Sequence, residues 1–459
     1  MENQTNKNKL LLILIGVMIF ALIGLVIVAC NLSDPLPKSQ AEASAPTTIP
    51  TTAPTTEPTT EPTTEPTTIP TEPPVTKIAT ATIGATGDVL MHGPVIQSGY
   101  DRTTNSYDFG YIYEYFNTCV SRVDYAVANL EVTLCGSDNG YRYQGYPTFN
   151  CPDAITTALK NAGFDMVLTA NNHSYDTGSK GFGRTQQIVE EAGLAHIGTR
   201  PTLEDDPYAV VDVNGIKIGM INYTYNTGVK DSGAVSLNGI ALSVENSQLV
   251  NTFSYDRLDT FYSTISGQIE AMRAEGAEAV VLYIHWGDEY QSKQNAKQDA
   301  MSQKLCDMGI DVIVGNHPHV IQPMQLLTST ADPEHKTLCL YSTGNSVSNQ
   351  TNPVNTQDGV FLEFTFAKYS DGTVLVESTH VIPTFVNRYT ENGLTKYQIL
   401  YMDDTLEDWA ATLGISEALI EKCQKSYDRT MNTIGEGLDQ ANEYYATNQQ
   451  TVEAELGVE

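Results

Sequence analysis

The stretch that most constrains this chain is Gly-Asn-His-Pro-His, residues 315–319, which directly follows a short apolar run, residues 310–314. The run is rich in β-branched residues and therefore predicts a buried strand. Ligand sites in α/β sheets form where strands end, and His317 and His319 both lie at such an end. Neutral imidazoles two residues apart can reach one metal ion. The stretch therefore predicts one part of a metal site.

Four other predicted strands also end in polar side chains. These strands cover residues 78–86, 124–132, 164–170 and 277–284, and helical patterns lie among them. The alternation indicates an α/β layered domain, in which the carboxyl ends of parallel strands lie along one edge of the sheet. The polar residues at these ends are Asp88, Asn129 with Glu131, Asn172 with His173, and His285.

Each of these residues has an ordinary structural explanation when it is taken alone. Gly87-Asp88 is typical of a turn, and a lone buried histidine usually makes a hydrogen bond within the core. As a set, they form mixed carboxylate, carboxamide and imidazole ligation without cysteine, which favours Mn²⁺, Zn²⁺ or Fe. Two such ions about 3.5–4 Å apart would share a carboxylate and clamp a phosphoryl or acyl oxygen. We therefore predict a site for one or two divalent metal ions.

The N-terminus predicts a membrane attachment. Lys7 and Lys9 precede an uncharged apolar run, residues 10–29, which is long enough to span a bilayer. The run ends in Ile-Val-Ala-Cys, so it also resembles a bacterial lipobox with Cys30 as the lipidated residue. An uncleaved anchor and a cleaved lipoprotein both remain open. Both place the chain at the cell membrane with its bulk extracytoplasmic.

Composition shifts divide the chain into four predicted segments. Residues 1–30 are the cytoplasmic stub with the anchor or lipoprotein signal, and residues 31–76 are a disordered linker with a Thr-Thr-x-Pro repeat. Residues 77–402 form the globular domain. Residues 403–459 form an acidic helical extension, which either docks on the domain or binds a partner.

Local patterns within the globular domain give further predictions. Asn214-Gly215 and Asp371-Gly372 predict β-hairpins, and residues 109–123 predict a helix. Residues 226–260 have no clear period and are interpreted as a long surface insertion. A more specific hypothesis is that this insertion is a substrate loop or lid.

Charge and cysteine content limit the partners and the covalent structure. Lys and Arg number 25 and Asp and Glu number 55, so the net charge is −30. This balance excludes nonspecific nucleic-acid binding, which needs a basic face. Beyond Cys30, six cysteines could pair in an oxidising compartment in any of 15 ways, although the apolar surroundings of Cys306 and Cys339 favour free thiols.

Six motifs, taken in order, identify a family. The motifs are GDVLMHG, NLEVTL, LTANNHSYDTG, IHWGDEY, GNHPHVIQP and YSTGN. With these motifs, the chain resembles the CapA (PgsA-type) poly-γ-glutamate capsule synthesis proteins over residues 78–348. The resemblance implies a metallophosphoesterase-like fold, namely a calcineurin-like metallophosphatase four-layer α/β/β/α sandwich.

The resemblance also implies roles for individual residues. Asp88 corresponds to the first metal aspartate, Glu131 to the bridging carboxylate and Asn172 to the metal asparagine. His173 corresponds to the histidine that donates to the leaving group or transition state. The other implied metal ligands are His285, His317 and His319. Beside these, Asn129, Glu289 and Asn345 are candidate substrate-binding residues, and Glu289 is also a candidate extra acid.

Two departures from the family pattern weaken one metal position. Leu90 stands where metallophosphoesterases have a histidine, and the second carboxylate lies in Asn129-Leu130-Glu131 rather than after Gly-Asp. His92 is a candidate replacement for the missing histidine, although its spacing differs.

Three functions follow as hypotheses. The first is an extracytoplasmic metal-dependent hydrolase. The second, implied by the family, is a membrane-tethered component of surface-polymer synthesis or export that contacts poly-γ-glutamate and its synthase or export subunits. The third is a non-enzymatic surface domain with a relic metal site. The first two are compatible, and the residues leave open whether the site is catalytic.

Overall fold

The structure is a computed structural model that describes residues 75–138, 140–403 and 406–456. The predicted anchor with Cys30, and residues 31–74 of the predicted linker, lie outside the described residues. None of the described helices is both long and apolar enough to cross a bilayer. The described residues form one compact unit.

Twenty strands, numbered β1 to β20 in chain order, are present in the described ranges. They are Lys77–Val89, Tyr100–Asp101, Ser106–Tyr107, Tyr125–Leu130, Met166–Leu168, Ala195–Ile197, Ala209–Val213, Ile216–Tyr225, Gly228–Val229, Val235–Leu237, Ile240–Ala241, Thr252–Phe253, Ala279–His285, Val312–Asn316, Ile321–Thr328, Lys336–Thr343, Asn345–Val347, Asp358–Tyr369, Val374–Glu391 and Leu394–Tyr401.

Nine α-helices, α1 to α9, accompany these strands in the same ranges. They are Gly93–Ser98, Asn117–Val120, Ala154–Ala162, Gly178–Glu191, Val244–Gln248, Leu258–Ala274, Ala296–Cys306, Leu406–Leu413 and Glu417–Leu456. Short 3₁₀ helices cover Gly110–Tyr113 and Val354–Gln357.

Most strands belong to two large sheets, each with a parallel centre. The first has the order β20-β19-β18-β1-β4-β5-β6, with β17 also paired to β1, and its β1, β4, β5 and β6 are parallel. The second has the order β12-β8-β13-β14-β16-β15, with β7 beside β8, and its β8, β13, β14 and β16 are parallel. Parallel neighbours bring their carboxyl ends to a common edge, which places the polar strand ends together.

The two sheets share one apolar core. Val281 and Tyr283 of β13 join the cluster that both sheets build between them, whereas Leu282 and Ile284 pack outward against helices α6 and α7. Helices α2 and α3 cover the other face of the first sheet. Because β13 is buried on both faces, its sequence is a nearly continuous hydrophobic run. The predicted α/β class is confirmed.

The C-terminal helix α9 docks on this domain, as one of the two predictions for the extension stated. Ile434 and Leu438 are buried in the core between the sheets, and the helix packs against β15 and β19. A Cβ at Gly437 would lie 1.8 Å from the carbonyl oxygen of Met324, so the close approach of helix and strand requires glycine.

Both predicted hairpins are present, at β7–β8 and β18–β19. The predicted helix over residues 109–123 is wrong, because the segment forms a 3₁₀ turn and one short helix, α2. Phe109, Tyr113 and Phe116 are each almost fully buried. Their packing against the sheet outweighs the propensity for a continuous helix.

The insertion at residues 226–260 is more ordered than its sequence indicates. It contains a three-stranded sheet, β9 to β11, and helix α5. Val235, Leu237 and Leu242 pack on Tyr175 and Phe182 in a separate small cluster. Strands of two or three residues are too short to produce a visible period, which is why the pattern predicted only a loop.

All six cysteines of the described residues are buried free thiols. The prediction for Cys306 and Cys339 is confirmed, and none of the 15 pairings forms here.

Candidate metal centre

The candidate centre lies where the carboxyl ends of the two parallel sheets meet. In the first sheet, Asp88 of β1 is in register with Asn129 of β4 and with Asn345 of β17. In the second sheet, His285 of β13 is in register with Asn316 of β14. Ligands far apart in sequence thus come to one place because their strands are neighbours.

Two overlapping groups of side chains can each hold a metal ion. One consists of Asp88, Glu131 and His319, and the other of Glu131, His285 and His317. Within each group the ligand atoms lie within 4.8 Å of one another, and all five residues are at most 3% exposed. Glu131 belongs to both groups, which is the position that a bridging carboxylate needs.

The distances around Glu131 are short. Its Oε1 lies 3.6 Å from His285 Nε2 and 3.9 Å from His319 Nε2, and His319 Nδ1 lies 3.0 Å from Asp88 Oδ2. Asn172 Oδ1 is 3.0 Å from His285 Nε2, so the predicted metal asparagine lies on the same side. The structure therefore brings together all six predicted metal ligands.

Glu131 is the most unusual of these residues. It is fully buried, and no other described residue donates a hydrogen bond to either of its carboxylate oxygens. Burial, followed by the nearby charges of Asp88 and Glu289, raises the pKa of Glu131 well above its usual value. A buried carboxylate without donors is costly, and a cation between the two groups would remove that cost.

The histidines are suited to the same cation. Burial, and then the neighbouring histidines, lower the pKa of His285 and of His317 well below the usual value, so both imidazoles are neutral. His317 Nδ1 is buried and has no hydrogen-bond partner among the described residues. Neutral imidazole nitrogens beside oxygen donors without partners are a ligand set that fits Mn²⁺, Zn²⁺ or Fe.

Backbone conformation also marks this loop. His317 has φ +99° and His319 has φ +57°, both in the left-handed region that non-glycine residues rarely adopt. Gly315 precedes them, and a Cβ there would lie 2.0 Å from the carbonyl oxygen of Tyr341. Such strain persists where the surrounding structure holds it, and it clusters at functional sites.

Carboxamides position the carboxylate of Asp88. Asn129 Nδ2 donates to Asp88 Oδ1 at 2.7 Å, and Asn171 Nδ2 donates to Asn129 Oδ1 at 3.4 Å. Asn129 is only 1% exposed. The hydrogen bond from Asn129 orients the carboxylate of Asp88. Contact of Asn129 with substrate stays a prediction.

His173 is held by a carboxylate that the sequence reasoning missed. Its Nδ1 lies 2.7 Å from Asp176 Oδ2, which also accepts a hydrogen bond from the backbone N–H of Phe149 at 2.6 Å. Asp176 lies three residues after His173, in the polar cluster that follows strand β5. Its place in this cluster is the sequence signal that could have identified it as a site residue. Asn238, from the insertion, brings its Nδ2 to 3.5 Å from His173 Nδ1.

Leu90 and His92 do not complete the missing ligand position. Leu90 is buried in the apolar core of the first sheet. Neither metal-holding group found among the described residues includes His92. The Nδ1 of His92 accepts a hydrogen bond from the backbone N–H of Asn349 at 3.3 Å. Burial, with smaller effects from His319 and His173, lowers the pKa of His92 to about 4.

The two remaining predicted substrate residues differ in accessibility. Glu289 is exposed and close enough to Glu131 to affect its pKa. Asn345 is fully buried and donates to the carbonyl oxygen of His319 at 3.2 Å and to that of Thr356 at 2.9 Å. Tyr225, which the sequence reasoning also missed, places its ring 4.9 Å from the ring of His317. The accessible wall of the site therefore contains Glu289, while Asn345 supports the histidine loop.

Comparison with known proteins gives three results. The family described as bacterial capsule synthesis protein PGA_cap matches residues 82–350. The "Capsule biosynthesis protein CapA" of Bacillus anthracis is 26% identical over 317 residues, which are 68% of this chain and 69% of that protein. The "PGA biosynthesis protein CapA" of Bacillus subtilis (strain 168) is 25% identical over 288 residues, 62% of this chain and 68% of that protein.

A solved structure also aligns with the chain. A protein described as a 5'-nucleotidase from Staphylococcus aureus, in complex with alpha-ketoglutarate, aligns with a TM-score of 0.38 and 13% identity. The alignment covers 76% of this chain and 58% of that one.

Proposed function

Because the chain belongs to the bacterial capsule synthesis family PGA_cap, we propose that it is a metal-dependent hydrolase acting in the synthesis or export of a bacterial surface polymer. The observation that carries the proposal is Glu131, a fully buried carboxylate without donors that lies among three histidines from other strand ends. A structural role does not account for it, because a structural buried carboxylate is hydrogen-bonded or paired.

The residues that would hold the metal follow from the two groups. Asp88, Glu131 and His319 would hold one ion, and Glu131, His285 and His317 would hold a second. Asn172, beside His285, adds a carboxamide oxygen. A divalent ion bound there supplies Lewis acidity, which lowers the pKa of water and polarises a phosphoryl or acyl oxygen.

Proton transfer to the leaving group is assigned to His173. Its Nδ1 donates to Asp176 Oδ2, which orients the ring and leaves Nε2 to exchange a proton with substrate. Phe149 packs edge-on against the imidazole with 4.7 Å between the ring centres, which limits its rotation. Asp176 is thus a positioning residue that acts through His173.

The layered arrangement supports assignment of the fold to the calcineurin-like metallophosphatases. Two sheets share a core, helices cover their outer faces, and the ligands gather where the parallel strands of both sheets end. In this assignment the α/β/β/α sandwich positions the metals and the insertion borders the site.

Location and partners are proposed from the sequence and the relatives. The apolar run at residues 10–29 supports attachment to the cell membrane, with the catalytic domain on the extracytoplasmic side. The name of the Bacillus subtilis relative, "PGA biosynthesis protein CapA", supports PGA as the polymer. The motif resemblance supports poly-γ-glutamate as its identity and the synthase or export subunits as partners.

Metal analysis of the purified chain tests the proposal. We expect Mn, Zn or Fe in the wild-type protein and hydrolysis of model phosphoesters or peptides that His173→Ala abolishes without removing the metal. A metal-free, inactive chain that still supports polymer production in cells would favour a non-enzymatic binding domain. The observation that favours this second function is Leu90, which is buried where metallophosphoesterases have a histidine and which cannot bind a metal.

A further inference from the structure

Four basic side chains line one cavity beside the N-terminal half of helix α9. They are Lys422, Lys425 and Arg429 of the helix and Arg388 of β19. No acidic residue of the described part of the chain lines this cavity, although the chain as a whole has a net charge of −30. The cavity therefore collects positive charge on a protein whose surface otherwise repels anions.

The partners of these cations show which of them are available to a ligand. Arg429 is committed to the fold, because its Nε and Nη2 donate to Asp358 at 2.7 Å each. Among the described residues Lys425 has one ion pair, with the exposed Glu421, and such surface pairs are weak. Arg388 lies over the ring of Tyr397, 5.8 Å from its centre. Lys422 is exposed and forms no ion pair within the described part of the chain. The two lysines are therefore the cations most available to a ligand.

The rest of the lining suits a chain rather than a single ion. Gln357 and Asn387 contribute carboxamides, and Val354 contributes an apolar side chain that is 53% exposed. Lys422 and Lys425 are three residues apart on a helix, so their Cβ atoms are about 5–6 Å apart. A polymer with a charge on each unit can engage the two ammonium groups with two of its charges.

A second cavity, which Asp358 and Ile321 also line, adjoins this one. Val354 and Arg429 line both cavities, and the second also contains Asn355 and Ser292, which share a hydrogen bond of 2.9 Å. Ser292 lies two residues after Tyr290, whose ring lies 6.1 Å from that of His319, and Ile321 lies two residues after His319. The second cavity is thus lined by residues close in sequence to the histidine loop.

We infer that the basic cavity binds an extended polycarboxylate chain, which continues into the adjoining second cavity. The inference rests on the proposed function for the choice of polymer, but the binding site is separate from the metal ligands. The ammonium groups of Lys422 and Lys425 bind successive carboxylates, and Val354 contacts the intervening carbon chain.

Binding of fluorescent polyglutamate to the metal-free full chain in detergent tests this inference. We expect Lys422→Glu/Lys425→Glu to weaken binding at least about tenfold and to make it less dependent on salt. The matched control is Lys160→Glu/Lys304→Glu, which changes net charge equally at exposed lysines outside the cavity. Thermal unfolding checks that both variants fold.

Two outcomes would overturn the inference. One is equal loss of binding in the control and the cavity variant, which would show only the effect of net charge. The other is polyphosphate binding as tight as that of polyglutamate with the same lysine dependence, which would reject carboxylate as the ligand. Since the measurement uses metal-free protein, the absence of hydrolase activity does not affect it. If the enzyme is active and the Lys422→Glu/Lys425→Glu variant still binds polyglutamate normally, the basic cavity is not the binding site, and the proposed hydrolase function is unaffected.

Discussion

Two buried carboxylates in the same domain have opposite surroundings. Asp358, at the start of β18, is 2% exposed and accepts hydrogen bonds from Ser426 Oγ and from Nε and Nη2 of Arg429, all between 2.6 and 2.7 Å. Glu131 is fully buried and accepts none from the described residues. Burial is therefore common to a structural carboxylate and a candidate ligand, and the absence of donors is what separates them.

The largest expected effect is that of Glu131→Gln. This change keeps the shape of the side chain and removes the charge shared by both metal groups. We expect metal affinity to fall more than about 100-fold, beyond the range typical of residues that only support ligands, and hydrolysis to be lost with it. Metal content after dialysis and rates on model phosphoesters are the measurements. If Glu131→Gln retained its full metal content, Glu131 would not be a metal ligand, and the lack of hydrogen-bond donors would not distinguish it from the structural carboxylate Asp358.

Asp358→Ala should act on stability instead of on the metal. It leaves the Arg429 guanidinium, which is one-third exposed, without its carboxylate partner. We expect a loss of about 3 kcal/mol in the free energy of unfolding, at the lower end for a broken buried pair because water still reaches Arg429. Urea unfolding measures it, with unchanged metal content as the second readout. Adding Arg429→Met should recover part of the loss, and failure to do so would mean that the cost arises elsewhere.

Asp176 is intermediate between these two carboxylates, because one oxygen is bonded to His173 and Phe149 while Oδ1 has no hydrogen-bond partner in the described chain. Asp176→Asn should lower kcat on the order of 100-fold with little change in KM or metal content, since it disturbs only the orientation and protonation of His173. The pH–rate profile should change with kcat. An equal loss of metal would instead assign Asp176 to the metal site.

The smallest expected effect concerns pH and His92. Its pKa is about 4 in the folded chain and near 6.5 when unfolded, so the unfolded state binds more protons between these values. Protonation of His92 in the unfolded state should by itself lower the stability of the metal-free protein by about 1–2 kcal/mol as pH drops from about 6.5 to about 5. His92→Gln should flatten this part of the stability curve, as measured by urea unfolding at several pH values. An unchanged slope would assign it to other groups, such as His285 and His317, whose pKa values are also lowered.

Much of the fold was predictable because its signals are local. Buried strands appear as apolar runs, and the Asn214-Gly215 and Asp371-Gly372 turns predicted two hairpins that are present. Residues 109–123 and 226–260 were not predictable in the same way. Their structure depends on aromatic and aliphatic contacts with distant elements, and short strands leave no period to detect.

The sequence by itself determined which polar residues end each central strand, and hence the six candidate ligands and His173. Only the tertiary structure decided how they combine. Asp88 and His319 are 231 residues apart, and they meet because β1 and β14 end at the same edge of two packed sheets. The sharing of Glu131, its lack of donors and the pairing of His173 with Asp176 depend on distances between side chains. No local pattern encodes such distances, because they result from the packing of the whole domain.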